Sequence, residues 1–216
     1  MAGKKTDEKE KEKPGLALII KEYGQAIVLA VVLALFVRSF ILQAFVIPSG
    51  SMIPTFLEGD RVLVSKFAYG IRSPFNNGVW IDTGRPERFD VVIFKYPKEP
   101  DIDYVKRVIG LPGETVAMLN GQLFVNGARI EDPHAHYDSK LSVHDNGFQA
   151  VKLDEGQYFM MGDNRDHSSD SRYWGVVDES YLRGKAWRLY WSWNSGEPGL
   201  SFFKRLRTDR LGRKIE

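Results

Sequence analysis

Thr115-Val116-Ala117-Met118-Leu119-Asn120-Gly121-Gln122-Leu123-Phe124-Val125 is two short strand-like runs around Asn-Gly. Asn and Gly tolerate the positive φ that both central positions of a type I′ turn require, and the twist of that turn suits paired strands. The stretch therefore predicts a β-hairpin. Asn126-Gly127 marks a second turn directly after it.

Outward from the hairpin the same grammar recurs. Arg61-Val62-Leu63-Val64 alternates, with valine at every second position, and Asp90–Phe94 and Tyr104–Ile109 are β-branched clusters. Tyr158–Met161 and Lys185–Trp191 complete the set. No stretch beyond residue 50 keeps helical periodicity for long, and there is no internal repeat. The fold expected is mainly β: an all-β domain of antiparallel sheets with turns marked by Gly and Pro. Residues 68–87 and 128–149 are polar and rich in turn formers, which suits surface excursions.

Upstream of this domain the pattern changes. Gly24–Val37 carries no charge, Arg38 interrupts, and Phe40–Leu42 and Ala44–Ile47 resume the apolar character. Crossing about 30 Å of hydrocarbon takes roughly 20 apolar residues. The segment reaches that length if Arg38 snorkels to an interface. Its apolar residues run all round a helix, which argues against a buried amphipathic one. A cleavable secretory signal fits poorly, because Leu42 is too large for the −3 position of a small-residue cleavage site. Lys4, Lys5, Lys9, Lys11, Lys13 and Lys21 precede the segment, and no Lys or Arg lies between Arg38 and Arg61. The positive-inside rule then places the N-terminus in the cytoplasm. The expected division is a charged cytoplasmic tail (1–22), a transmembrane anchor (23–44), an extracytoplasmic β domain (45–200) and a basic C-terminal tail (201–216).

The 216 residues leave room for one ordinary domain with appendages, and a net charge of +2 is too mild to argue for nucleic acid. There is no cysteine, so a thiol nucleophile, a disulfide and a thiolate metal site are all excluded. His134-Ala135-His136 could hold a metal weakly, but no carboxylate is convincingly placed with it, and no metal is expected. Lys204, Arg205, Arg207, Arg210, Arg213 and Lys214, with Trp187, Trp191 and Trp193 before them, suit a surface resting on anionic lipid.

Where anchor meets domain stands Pro48-Ser49-Gly50-Ser51-Met52-Ile53-Pro54-Thr55. Prolines limit the freedom of the turn, and Gly50 lets another chain approach closely. A serine there is a candidate nucleophile, though a plain connecting loop has the same composition. A serine hydroxyl needs a base. Lysine serves if burial disfavours its ammonium, since free lysine titrates at about 10.4. Alternation along Tyr104–Ile109 puts Lys106 on one face with Tyr104 and Val108. The strand alone leaves open whether that lysine is buried or, as lysines usually are, exposed.

Four stretches together resemble the successive motif blocks of bacterial type I signal peptidase: Pro48–Asp60, Arg88–Phe94, Tyr104–Glu114 and Gly162–Val177. They follow an apolar segment in the family's order and cover about a quarter of the chain. The resemblance implies that Ser51 is the nucleophile and Lys106 the general base. It implies an oxyanion hole made by the Ser51 N–H with the Ser49 hydroxyl. Ser168 would orient the lysine, and Asp163, Arg165, Asp170 and Arg172 would form a structural polar network. Phe45, Ile47 and Val105 would line pockets for small substrate residues. Phe89, Glu114 and His167 depart from the residues usual at their positions, which are glycine, aspartate and asparagine.

By the same resemblance the chain is expected to be a membrane-bound serine endopeptidase that cleaves signal peptides from exported preproteins after small residues. Its partners would be signal peptides and membrane lipid, without cofactor or nucleic acid. A processing peptidase of the same family dedicated to one pilin-like substrate fits equally. A noncatalytic anchored β domain would be favoured only if Ser51 or Lys106 were missing.

Overall fold

The computed structural model describes residues 16–72, 79–81, 83–138, 148–194, 196 and 202–215. The chain divides into two compact units, Met1–Arg38 and Ser39–Glu216. The first holds helix α1, Leu16–Phe36, whose described side chains from Tyr23 to Phe36 are all exposed. Among the described residues no helix is long and apolar enough to cross a membrane. A π-helical stretch, Val37–Ile41, follows α1.

The second unit is antiparallel β throughout its named strands, as the turn chemistry predicts. Its strands are β1 (Leu42–Val46), β2 (Asp60–Ser65), β3 (Ile71–Arg72), β4 (Val79–Ile81), β5 (Val91–Tyr96), β6 (Glu99–Gly110), β7 (Thr115–Leu119), β8 (Gln122–Val125), β9 (Ala128–Ile130), β10 (Phe148–Lys152), β11 (Gln157–Met161), β12 (Val177–Asp178) and β13 (Leu182–Ser192). Seven form one sheet in the order β1-β2-β13-β5-β6-β11-β12, four form β10-β7-β8-β9, and β3 pairs with β4. Both Asn-Gly turns adopt the expected geometry: Asn120 and Gly121 have φ of 49° and 73°, Asn126 and Gly127 of 52° and 79°.

Two features of the fold stand at the expected domain boundaries. Leu42–Ala44, the last residues of the expected anchor, lie in β1, paired in register with Leu63–Ser65. The strand form satisfies their backbone groups laterally, so the helix cannot continue through them. The basic C-terminal segment packs on the domain. Ile215 is buried in the core, Leu189 and Ile215 donate backbone bonds to Arg213 and Trp187, and Arg210 is buried. An apolar residue near the chain end and a buried acid to meet Arg210 hold the segment against β13. The two polar excursions also contain strands: β3 and β4 in one, β9 and the start of β10 in the other.

Burial follows the period-2 alternation of the strands. Val91 and Ile93 enter one apolar cluster with Ile47, Met52, Phe56, Val62, Val64 and Val105. Their neighbours Val92 and Phe94 point the other way, into a cluster with Val108, Tyr158 and Met160. A third cluster (Ile109, Val116, Met118, Leu123, Phe159 and Met161) joins the hairpin sheet to the main sheet. Both faces of the second half of β6 are covered, and every residue from Val105 to Gly110 is buried. Lys106 pairs with Val92, so the register carries it onto the buried side and not into solvent.

Candidate active site

Ser51 sits at the tip of an extended connection between β1 and β2. The Ile47 N–H donates to Asp60 O at 2.8 Å, and the Gly59 N–H donates to Ile47 O at 3.0 Å, which closes the base of the loop. Met52 and Phe56 are fully buried in the first apolar cluster and pull the loop onto the sheet. Between them and Pro48 the chain makes a single 3-10 turn, Gly50–Met52. The result is a serine that is only 9% exposed yet borders a cleft of about 560 Å³.

Lys106 reaches the same point from β6. Its Nζ hydrogen-bonds Ser51 Oγ at 2.7 Å, and the residue is 4% exposed. Burial pushes the ammonium down to about 8 from its ordinary 10.5. Asp170 and Asp163 oppose that shift, and Arg172 adds to it. Desolvation dominates because the surroundings that replace water are largely apolar. The Tyr104 ring lies 5.4 Å from Nζ. An amine with this acidity is substantially neutral near pH 8 and can accept the proton of the hydroxyl it touches.

The polar residues of the fourth motif block lie behind the dyad. Asp163 accepts two bonds from Arg107, at 2.8 and 2.7 Å, and one from the Thr55 hydroxyl at 2.5 Å. Asp170 accepts from the Gly162 N–H at 3.0 Å and from Arg172 Nε at 2.8 Å. Arg165 donates from Nε to Gly162 O at 3.1 Å and pairs with Asp132. Each buried charge has an opposite partner and further hydrogen bonds, the condition under which buried ions are tolerated. The network fixes the Gly162–Arg165 backbone beside the serine turn.

Ser49 and Ser51 are 3.5 Å apart at their hydroxyls, and Ser49 is exposed. Ser168 Oγ is buried and makes no hydrogen bond among the described residues. The hydroxyl is turned against Gly162, whose missing side chain provides its space: a Cβ there would overlap Ser168 Oγ and come within 2.5 Å of Ser51 O. Phe45, Ile47 and Val105 all line the cleft, together with Ile93, Ile102 and Tyr104. His134 and His136 lie apart from that cleft. His136 is held through its backbone, between Asp163 O and the Arg165 N–H. Among the described residues no cluster of His and carboxylates could hold a metal ion, and His144 lies outside the described residues.

Three contributors escaped the sequence. Arg107 is fully buried beside the lysine, and an arginine inside a β-branched run with an Asp-rich block downstream was the available signal. Asn164 donates its backbone N–H to Ser51 O at 3.1 Å and its amide to Gly50 O at 3.0 Å. Asp132 came from a stretch treated as surface. The departure at Phe89 also finds an explanation. Its φ of 73° is a left-handed conformation that ordinarily selects glycine. The ring packs on the third cluster, and Arg107 holds the Phe89 carbonyl at 2.7 Å.

Residues 20–191 match the family described as signal peptidase, peptidase S26. The chain is 38% identical to a signal peptidase I of Pseudomonas fluorescens over 85% of its own length and 76% of that protein. It is 39% identical to a signal peptidase I of Pseudomonas aeruginosa, covering 81% and 74%. A solved signal peptidase I from Enterococcus faecalis V583 shares 34% identity, over 47% of this chain and 97% of that one, with a TM-score of 0.43. A family match across most of the chain, together with a buried serine bonded to a buried lysine, leads to one conclusion: the chain belongs to the signal peptidase family of serine peptidases, peptidase S26.

Proposed function

We propose that Ser51 and Lys106 are the catalytic dyad of a membrane-bound endopeptidase that removes N-terminal signal peptides from exported preproteins. The observation that carries this reading is the 2.7 Å bond between a buried hydroxyl and a buried amine of lowered basicity. In the reaction, neutral Lys106 takes the Ser51 proton as Oγ adds to the scissile carbonyl. The resulting lysine ammonium then protonates the departing amine, the C–N bond breaks, and an ester to Ser51 remains. Water enters, loses a proton to the same lysine and attacks the ester carbonyl; as the acyl C–O bond to Ser51 breaks, the lysine ammonium returns that proton to Ser51 Oγ and the dyad is restored.

The developing oxyanion needs donors. The Ser51 N–H lies in the 3-10 turn at the cleft, and the Ser49 hydroxyl stands 3.5 Å from Ser51 Oγ. These two groups are the proposed oxyanion hole. Phe45, Ile47 and Val105 offer apolar walls that accept a methyl group and leave little space for longer side chains. Ser168 is the proposed positioning group for the lysine. Asp163, Arg165, Asp170 and Arg172 act as scaffold. No cofactor has a part in this scheme.

The anchor belongs to the same proposal. Every described side chain of α1 from Tyr23 onward is exposed, including Ile27, Val28, Leu29, Val31, Val32, Leu33, Leu35 and Phe36. Apolar side chains exposed all round a helix find their natural surroundings in lipid. With the lysines of the N-terminal tail retained in the cytoplasm, the β domain lies outside the cell membrane.

The test is cleavage of a preprotein by the full chain in detergent or vesicles. Ser51→Ala and Lys106→Ala should each abolish it while retaining the far-ultraviolet spectrum of a β protein. Full activity in either variant would remove that residue from the mechanism.

A further inference from the structure

The floor of the cleft carries a charge that the proposed dyad does not use. Glu58 lines the cleft with Ser49, Gly50 and Ser51, and its side chain is exposed. A Cβ added to Gly50 would lie 3.6 Å from Glu58 Oε1, so the carboxylate hangs over the backbone that carries Ser51. The other charged groups around the cleft are compensated. Asp103 pairs with Arg183 at 3.3 Å, and His167 faces Asp138 at 3.7 Å. Arg207, the nearest cation on the C-terminal segment, donates to the Glu58 backbone oxygen and turns its charge toward Asp60. Lys106 is neutral in its working form. Among the described residues the Glu58 carboxylate therefore has neither an ion-pair nor a hydrogen-bond partner.

We infer that Glu58 is a specificity-determining residue: it favours substrates with a basic side chain next to the scissile bond and disfavours acidic ones. The inference rests on the peptidase reading of the dyad. Because Glu58 Oε1 lies 3.6 Å from the Cβ position over Gly50, next to Ser51, a peptide lying across Ser51 passes beside this carboxylate. At that separation, near a protein surface, charges still interact by more than thermal energy. Solvent exposure and salt reduce the effect, so a discrimination of about 3- to 10-fold in kcat/KM is expected at low ionic strength.

The experiment compares the wild-type chain, Glu58→Gln and Glu58→Lys on one parent peptide. The peptide keeps small residues at the positions that fill the apolar pockets and carries Lys, Gln or Glu, one position at a time, at the remaining positions within three of the cut. At one position or more the wild type should prefer Lys over Glu, Glu58→Gln should bring the ratio near one, and Glu58→Lys should invert it. Added salt should shrink the wild-type ratio. Ratios within the same peptide pair cancel any general change in activity, so a purely structural effect of the substitution would not move them. Identical ratios in all three enzymes, with the Gln peptide cleaved normally, overturn the inference and leave the peptidase reading intact. Failure of the wild type to cleave even the Gln peptide overturns both.

Discussion

Asn164 grips the backbone on both sides of Ser51: its own N–H donates to Ser51 O at 3.1 Å, and its side-chain amide donates to Gly50 O at 3.0 Å. Asn164→Ala keeps the first bond and loses the second, which should cost about 1 kcal/mol of stability. Activity on a preprotein should fall more than stability does, by about tenfold, because the turn that aims Ser51 is loosened. Asn164→Asp, which puts a carboxylate against a carbonyl, should be worse than alanine. Equal activity in the two variants would count against this grip.

The lowered basicity of Lys106 sets the pH response. The base must be unprotonated, so kcat/KM should rise as pH passes through about 8 and level off above it. A profile whose rising limb lay near pH 6 would exclude this lysine as the titrating base.

Stability should depend on the same group. The unfolded lysine titrates near 10.4, so between that value and about 8 the unfolded chain binds more protons than the native one. Stability then rises with pH across this window, and burying the amine costs most below pH 8. Lys106→Met should therefore be inactive yet more stable at pH 7 by on the order of 1–2 kcal/mol, after allowing for the bond that Ser51 loses. That gain should vanish above about pH 10.5. Urea unfolding at the two pH values measures it, and a variant less stable than wild type at pH 7 would contradict the account.

Gly162 has no room for a side chain. The methyl of Gly162→Ala meets Ser168 Oγ and the Ser51 carbonyl, so the chain must shift at the site itself. Overpacking of this kind costs about 1–3 kcal/mol, and displacing Ser51 by about 1 Å should reduce turnover about 100-fold. Adding Ser168→Ala to that variant should restore no activity: the Ser168 Cβ, 2.6 Å from the new methyl, and Ser51 O, 2.5 Å from it, still overlap, and the group proposed to position Lys106 is gone. Recovery to near the wild-type rate would show that the Ser168 hydroxyl alone causes the defect.

The C-terminal segment has its own key. Arg210 donates to the fully buried Asp60 at 2.6 Å and to Thr55 O at 2.9 Å, bracing the loop that carries Ser51. Arg210→Ala leaves the buried Asp60 carboxylate only the 3.8 Å contact to Arg207 as a counter-charge and should cost about 3 kcal/mol. Asp60→Asn with Arg210→Met should recover much of that loss, because no uncompensated ion remains. If Arg210→Ala unfolds in urea within 1 kcal/mol of wild type, the segment is an ornament on the domain.

The strand plan was legible because it is written locally. Two Asn-Gly pairs, β-branched runs and period-2 alternation each act within a few residues, and each appears in the structure where it was expected. The polar excursions concealed β3, β4 and β9 because very short strands carry too little pattern to stand out from turns. Arg210 looked like one more cation in a basic tail, since nothing nearby in sequence reveals that Asp60 is buried and waiting for it.

The candidate site divides along the same line. From its residues alone the chain supplied a serine in a tight turn, a lysine in an alternating strand, and the blocks that resemble a known family. Whether that lysine was wet or dry was not in its neighbours. The pairing of β6 with β5 on one side and β11 on the other, and the loop of Ser51 laid across them, took it out of water. Local order along a chain determines which conformations are cheap. Solvation of a side chain depends on segments far apart in sequence, and only the folded arrangement decides it.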